Sequence, residues 1–125
     1  MTTGPLSSRQ LANMQRLFAT PFADIYPLYV TKVQRKNRSE SELRTVLSWL
    51  TGLDGRQLDL AISSGESLQE FFERVHVHPN SVLITGMVCG VKVQDVEDPL
   101  MRNIRYMDKL VDELAQGKAI ENILR

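Results

Sequence analysis

Near the end of the chain, apolar residues recur at alternating spacings of four and three, which places them on one face of an α-helix. They are Leu100, Ile104, Met107, Val111 and Leu114. Asp98 can cap the first turn, and Pro99 suits the first helical position because an N–H there has no partner. Gly117 is typical of the left-handed residue that ends a helix. The pattern predicts a C-terminal amphipathic helix of about five turns, onto which the apolar residues of 120–124 fold back.

Capping signals predict where the other helices begin. Ser39 and Glu42 form a capping box, in which each side chain bonds the backbone N–H of the other residue. Ser67 and Glu70 repeat this spacing. Together with 3.6-residue periodicity, these signals predict five helical segments before the last helix. The segments begin near Ser7, Phe22, Ser39, Asp54 and Ser67.

Pro27 complicates the second of these segments because it has no N–H to donate within a helix. We expect a kink or a new first turn there. On that interpretation Leu28, Val30 and Val33 face inward and Tyr29 lies on the flank.

Residues 81–96 are ambiguous. They are rich in valine and other apolar residues, which favours strand, but Gly86 and Gly90 suit neither element. Every other segment is helical, so a strand would have nothing obvious to pair with. We expect a buried helix to about Gly90, followed by a short extended segment at 91–96.

These elements predict an all-α fold, a compact bundle of about six or seven short helices with a long C-terminal amphipathic helix. A chain of 125 residues, 42% of them hydrophobic, is expected to form one domain over 1–125. Residues 1–6, which contain Gly4-Pro5, are expected to form a flexible arm.

Composition excludes several classes of function. The net charge is zero, so no overall field attracts nucleic acid. Apolar runs are far shorter than the roughly 20 residues that span a bilayer. The N-terminal residues lack the apolar core of a secretory signal. The single cysteine, Cys89, cannot form an intramolecular disulfide. We therefore expect a cytoplasmic protein without membrane contact.

Much of the chain resembles an uncharacterised bacterial family, the domain of unknown function 2200. The resemblance runs from about Phe18 to Arg125. It is most specific at Tyr26-Pro27-Leu28-Tyr29, Trp49-Leu50-Thr51-Gly52, Ile84-Thr85-Gly86, Cys89-Gly90-Val91 and Glu97-Asp98-Pro99-Leu100-Met101. It implies a compact, mostly helical cytoplasmic domain and brings no activity, so no site residue is transferred. Asn37 departs from the family pattern, which favours glycine there, although asparagine also tolerates the left-handed conformation.

One basic cluster is a candidate nucleic-acid site. It consists of Lys32, Arg35, Lys36 and Arg38. Such a patch can hold phosphates, and the nearby Tyr26 and Tyr29 can stack on bases or contact another ligand or partner. The alternative is that these cations complement a helix C-terminus. The balanced net charge argues against nucleic acid.

Residues with catalytic or metal-binding chemistry are sparse. His76 and His78 lack the third ligand that a zinc site needs, so we expect no metal and no cofactor. Cys89 is flanked by apolar residues, which indicates a buried and inert thiol rather than a nucleophile. Motifs of the common enzyme classes are absent, and we predict no catalytic residue.

Trp49 is the best single candidate for a ligand or partner contact. It falls outside the apolar stripe of its helix, so it either widens the buried face or lines a surface groove. Our leading hypothesis is a small non-enzymatic binding or interaction module that self-associates. The alternatives are a nucleic-acid-associated protein that uses the cluster at 32–38, and a small-molecule binder or enzyme with a pocket near Trp49 and Cys89.

Overall fold

The computed structural model describes residues 5–125 and is built almost entirely of helices. The α-helices are α1 (Ser8–Ala19), α2 (Phe22–Gln34), α3 (Glu40–Thr51), α4 (Gly55–Ser64), α5 (Leu68–Arg74), α6 (Pro99–Ala115) and α7 (Ile120–Ile123). Short 3-10 turns occupy Pro79–Leu83 and Val93–Asp95, and strands β1 (Met87–Val88) and β2 (Val91–Lys92) form one antiparallel pair. The all-α prediction is therefore confirmed. The predicted arm at 1–6 lies mainly outside the described residues.

Local hydrogen bonds set the helix boundaries as the sequence predicts. The Ser39 hydroxyl accepts the Glu42 N–H at 3.1 Å, and the Ser67 hydroxyl accepts the Glu70 N–H at the same distance. Asp98 caps α6 by accepting the Met101 N–H at 2.8 Å. Asn37 has a φ of 63°, so it adopts the left-handed conformation after α2.

The core surrounds α6, whose inner face packs on α2, α3, α5 and α7. The predicted stripe is buried except for Leu100, which is partly buried against the same core. Ile123 of α7 is fully buried, and Ile120 and Leu124 also pack on this core. The segment after Gly117 therefore folds back as predicted.

Helix α2 differs from the sequence prediction because it runs through Pro27 without restarting. Its buried face is Phe22, Tyr26, Tyr29 and Val33, which recur at spacings of four, three and four. Leu28 is consequently 64% exposed, and Tyr29 is buried rather than on the flank. The prediction was wrong about a new first turn, Leu28 and Tyr29 because the helical period continues from Phe22. Val33 is buried as predicted, and Val30 is partly buried against the core.

The predicted helix through Gly90 is also wrong. Residues Met87–Lys92 form a hairpin in which Val88 pairs with Val91 across the two-residue turn Cys89–Gly90. Both turn residues have positive φ, 51° and 77°, as in the type I′ turns that close tight hairpins. The extended segment expected at 91–96 is limited to Val91–Lys92, since Val93–Asp95 is a 3-10 turn.

Candidate functional site

A pocket of about 460 Å³ lies between the segment after α5 and the first half of α6. We call it the Arg102 pocket. Its lining consists of Val77, His78, Pro79, Ser81, Val82, Ile84, Gln94, Arg102, Asn103 and Tyr106. The volume lies within the range of small-molecule sites. The wall therefore combines polar side chains from three segments with an apolar edge.

His78 is held rigidly at one side of the pocket. Its ring stacks on Trp49 with centroids 4.3 Å apart and an angle of 18° between the planes. Its backbone N–H donates to the Leu50 carbonyl at 2.9 Å. The ring Nδ1 accepts the Asn80 N–H at 3.0 Å, so the neutral ring carries its proton on Nε2. His78 therefore has a defined donor nitrogen and a fixed plane.

Arg102 is the one arginine or lysine in the lining, and its guanidinium stays charged throughout the working pH range. The lining contains no carboxylate. Its side chain is half-buried. Within residues 5–125, the guanidinium makes no ion pair and no hydrogen bond to another residue. An arginine in this state retains all five donors for a ligand.

Neutral side chains that can donate hydrogen bonds line the same pocket as Arg102. The Gln94 side-chain oxygen accepts the Gly86 N–H at 3.0 Å, which leaves its NH₂ group free to donate. Ser81 and Tyr106, which each carry a hydroxyl, also line the wall, and both residues are buried. Such a set of donors without a carboxylate favours an anionic ligand.

Trp49 contributes to this site indirectly. It is half-buried, packs against the core and fixes His78, but it does not line the pocket itself. Arg102, Ser81, Gln94 and Tyr106 were missed by sequence reasoning. Arg102 follows Asp98 by four residues, a spacing typical of a helical ion pair. The structure instead has Asp98 bound to the Met101 N–H.

Tyr26 and Tyr29 are both buried, so they form no stacking surface for bases. The Tyr26 hydroxyl donates to Glu40 at 2.6 Å, and burial followed by this bond raises the pKa of Tyr26. The Tyr29 hydroxyl donates to Asp108 at 2.5 Å. Burial, followed by the Asp108 charge, raises the pKa of Tyr29 well above its ordinary value.

Cys89 is exposed in the hairpin turn, so the expectation of a buried thiol was wrong. The reason is the turn itself, because Cys89 lies at the exposed end of the hairpin, where Val88 is buried but Met87 is 55% exposed. The Cys89 Sγ lies 3.9 Å from Asp108 Oδ2, and Arg105 donates to this same oxygen at 3.0 Å. Trp49 contacts the Arg102 pocket through His78, whereas Cys89 lies outside that pocket. The two residues therefore do not share one site.

Two side chains of the basic cluster, Lys32 and Arg38, are bonded to other parts of the protein. Lys32 pairs with Asp112 at 3.2 Å. Arg38 binds Glu42 and also donates to the carbonyls of Leu114 and Lys118 at 3.1 and 2.9 Å. Arg35 and Lys36 are exposed. Arg38 therefore ties the start of α3 to the end of α6.

The histidines are not joined by further metal ligands. Across residues 5–125, no group of three or more His, Cys, Asp or Glu side chains is placed to hold a metal ion. The same residues contain no helix that is both long and apolar enough to traverse a bilayer.

The fold and the pocket define a small all-α domain with an anion-compatible cavity beside its longest helix. Residues 16–125 match the family DUF2200, described as an uncharacterized protein conserved in bacteria, and the chain belongs to that family. It is also similar to uncharacterized protein SP1917, which is known from a crystal structure. The two are 36% identical with a TM-score of 0.83, and the match covers 88% of this chain and 91% of that one. No curated protein matches the chain.

Proposed function

We propose that this protein is a small non-enzymatic binding module that holds an anionic group in the Arg102 pocket. The observation that carries the proposal is that Arg102 is half-buried in a pocket whose lining also holds several neutral donors and no carboxylate. A guanidinium in such surroundings binds carboxylate or phosphate through charge-assisted hydrogen bonds. The Nδ1 atom of His78 is already an acceptor for Asn80, so it is not free to act as a general base.

The proposal is tested by titrating ¹⁵N-labelled protein with sodium acetate and with sodium phosphate at constant ionic strength. We expect saturable amide shifts in residues 77–84 and 102–106 with at least one anion. Arg102→Gln is expected to abolish these shifts. Arg35→Gln removes the same charge from an exposed position and is expected to preserve them. Shifts that do not saturate, or that follow Arg35 rather than Arg102, would contradict the proposal.

Self-association is a second candidate, supported by α1. This helix is amphipathic but has no buried residue, and Leu11 is 45% exposed. Beside it lies a mainly apolar groove of about 680 Å³, whose charged lining is Asp95, Glu97, Asp98 and Arg105, the last of which is paired with Asp108. Helix α1 carries Arg9 and Arg16 and no acidic residue, so its charge complements that groove in a second copy.

Sedimentation equilibrium of the wild type tests self-association directly. Leu11→Asp is expected to shift a dimer to monomer, whereas Leu60→Asp is the matched control because Leu60 is 60% exposed on α4. A wild type that sediments as a monomer over the micromolar range would remove this candidate.

We also propose a cytoplasmic location, since a reducing compartment preserves the exposed thiol of Cys89.

A further inference from the structure

The lining of the Arg102 pocket includes an apolar edge as well as a cation, and this edge indicates which kind of anion fits the pocket. Val77, Pro79, Val82 and Ile84 all belong to the segment between α5 and β1. Val82 is 70% exposed, which is the highest exposure of any large hydrophobic side chain in residues 5–125. A ligand that covered Val82 would remove apolar surface from water.

Resting on the proposed function, we propose that the ligand is a monoanionic carboxylate with an apolar body, rather than a phosphate. The carboxylate binds the Arg102 guanidinium, and the apolar body lies along Val77 and Val82. The shape of the pocket places both features within one cavity of about 460 Å³.

The charge of the pocket favours a carboxylate over a phosphate. Arg102 is the one arginine or lysine in the lining, and its planar fork matches the two oxygens of a carboxylate. A phosphate monoester carries roughly 1.5 to 2 negative charges at neutral pH. One guanidinium would leave part of that charge uncompensated in a half-buried site, which is unfavourable.

The apolar edge is rigid, so it can select the ligand's body. Pro79–Leu83 is a 3-10 turn whose first N–H group, that of Asn80, donates to the His78 ring at 3.0 Å. The His78 ring is itself stacked on Trp49. The Ile84 N–H donates to the Ser81 carbonyl at 2.9 Å, which closes the turn. The backbone that carries Val82 is therefore fixed by local hydrogen bonds and by its link to α3.

The test measures dissociation constants for acetate, butyrate and hexanoate, and for inorganic phosphate, at constant ionic strength. The readouts are isothermal calorimetry and the fluorescence of Trp49, the single tryptophan of the chain. We expect affinity to rise about two- to fourfold for each added methylene, the range for partly to fully buried methylenes. Hexanoate should bind more tightly than phosphate.

Two variants and their two matched controls locate the effect. Arg102→Gln should weaken hexanoate binding at least tenfold, as loss of a charged hydrogen bond does, whereas Arg35→Gln should leave it unchanged. Val82→Ser should flatten the dependence on chain length and preserve acetate binding. Leu60→Ser, an exposed apolar change outside the lining, is the matched control for Val82→Ser.

A short peptide ending in leucine, with a free or an amidated C-terminus, distinguishes the two sources of an apolar carboxylate. Tighter binding of the free-acid peptide than of hexanoate assigns the ligand to a chain terminus, and the reverse assigns it to a small acid. Either result supports the inference. Tighter binding of phosphate than of every carboxylate would overturn the inference and leave the anion site in place. Absence of binding by all these anions would overturn the proposed function as well.

Discussion

The pairing of Glu113 with Arg125 gives a sharp prediction about stability. Glu113 is only 6% exposed on α6, and Arg125 donates to its two oxygens at 2.8 and 2.7 Å. Arg125 also donates to the Ile123 carbonyl at 2.6 Å. Lys118 lies 3.5 Å from the same carboxylate. Replacing Arg125 by alanine therefore leaves a buried carboxylate with Lys118, at 3.5 Å, as its remaining paired cation.

The expected magnitude follows from this geometry. Removing one partner of a buried ion pair costs about 3–5 kcal/mol. The Arg125 side chain is 16% exposed and Lys118 still pairs with the carboxylate. We therefore expect a smaller loss, about 2–3 kcal/mol. For a domain of this size, each kcal/mol lowers the melting temperature by about 3–5 °C. The Arg125→Ala variant is therefore expected to melt about 6–15 °C below the wild type.

The assay is thermal and urea unfolding followed by circular dichroism. Glu113→Gln combined with Arg125→Ala should be more stable than Arg125→Ala alone, since the double variant buries no unpaired charge. Arg35→Ala serves as the control and should stay within about 0.5 kcal/mol of the wild type. The reasoning is refuted if Arg125→Ala melts within about one degree of the wild type, or if the double variant is the less stable of the two.

Three further predictions concern other parts of the structure. Ile104 is 2% exposed, so Ile104→Ala should lower the free energy of unfolding, measured with urea, by about 2–5 kcal/mol. A variant with the same urea midpoint as the wild type would show that this side chain lies outside the core. Burial, and then Asp108, raise the pKa of Tyr29, whereas an unfolded tyrosine ionises near pH 10. Stability should therefore fall as pH rises above about 10, and the fall should be shallower in Tyr29→Phe; equal slopes would contradict this. Arg38→Ala should lower the free energy of unfolding by about 1–3 kcal/mol because Arg38 donates to the carbonyls of Leu114 in α6 and of Lys118 just after it. Lys36→Ala, an exposed change, should melt with the wild type.

The sequence alone determined most helix boundaries and the face that α6 buries. A capping box joins a residue to one three positions away, and an apolar stripe repeats every three or four residues. The caps predicted at Ser39, Ser67 and Asp98 are therefore all present in the structure. Reasoning from neighbours a few residues apart also explains why the new first turn predicted at Pro27 was wrong. Its missing N–H suggested an interruption, but packing of Phe22 and Tyr29 into one core kept α2 continuous.

Only the tertiary structure decided the hairpin and the site. The apolar residues of Met87–Lys92 were compatible with a helix as well as with a hairpin. In the structure the segment forms a hairpin with its turn at Cys89–Gly90, and β1 packs against α6. His78 and Arg102 lie in different elements, and neither position specifies the other in sequence. They meet because the His78 backbone bonds the end of α3 while α6 packs on that same helix. Periodicity describes contacts a few residues apart, whereas a pocket depends on how separate elements pack together.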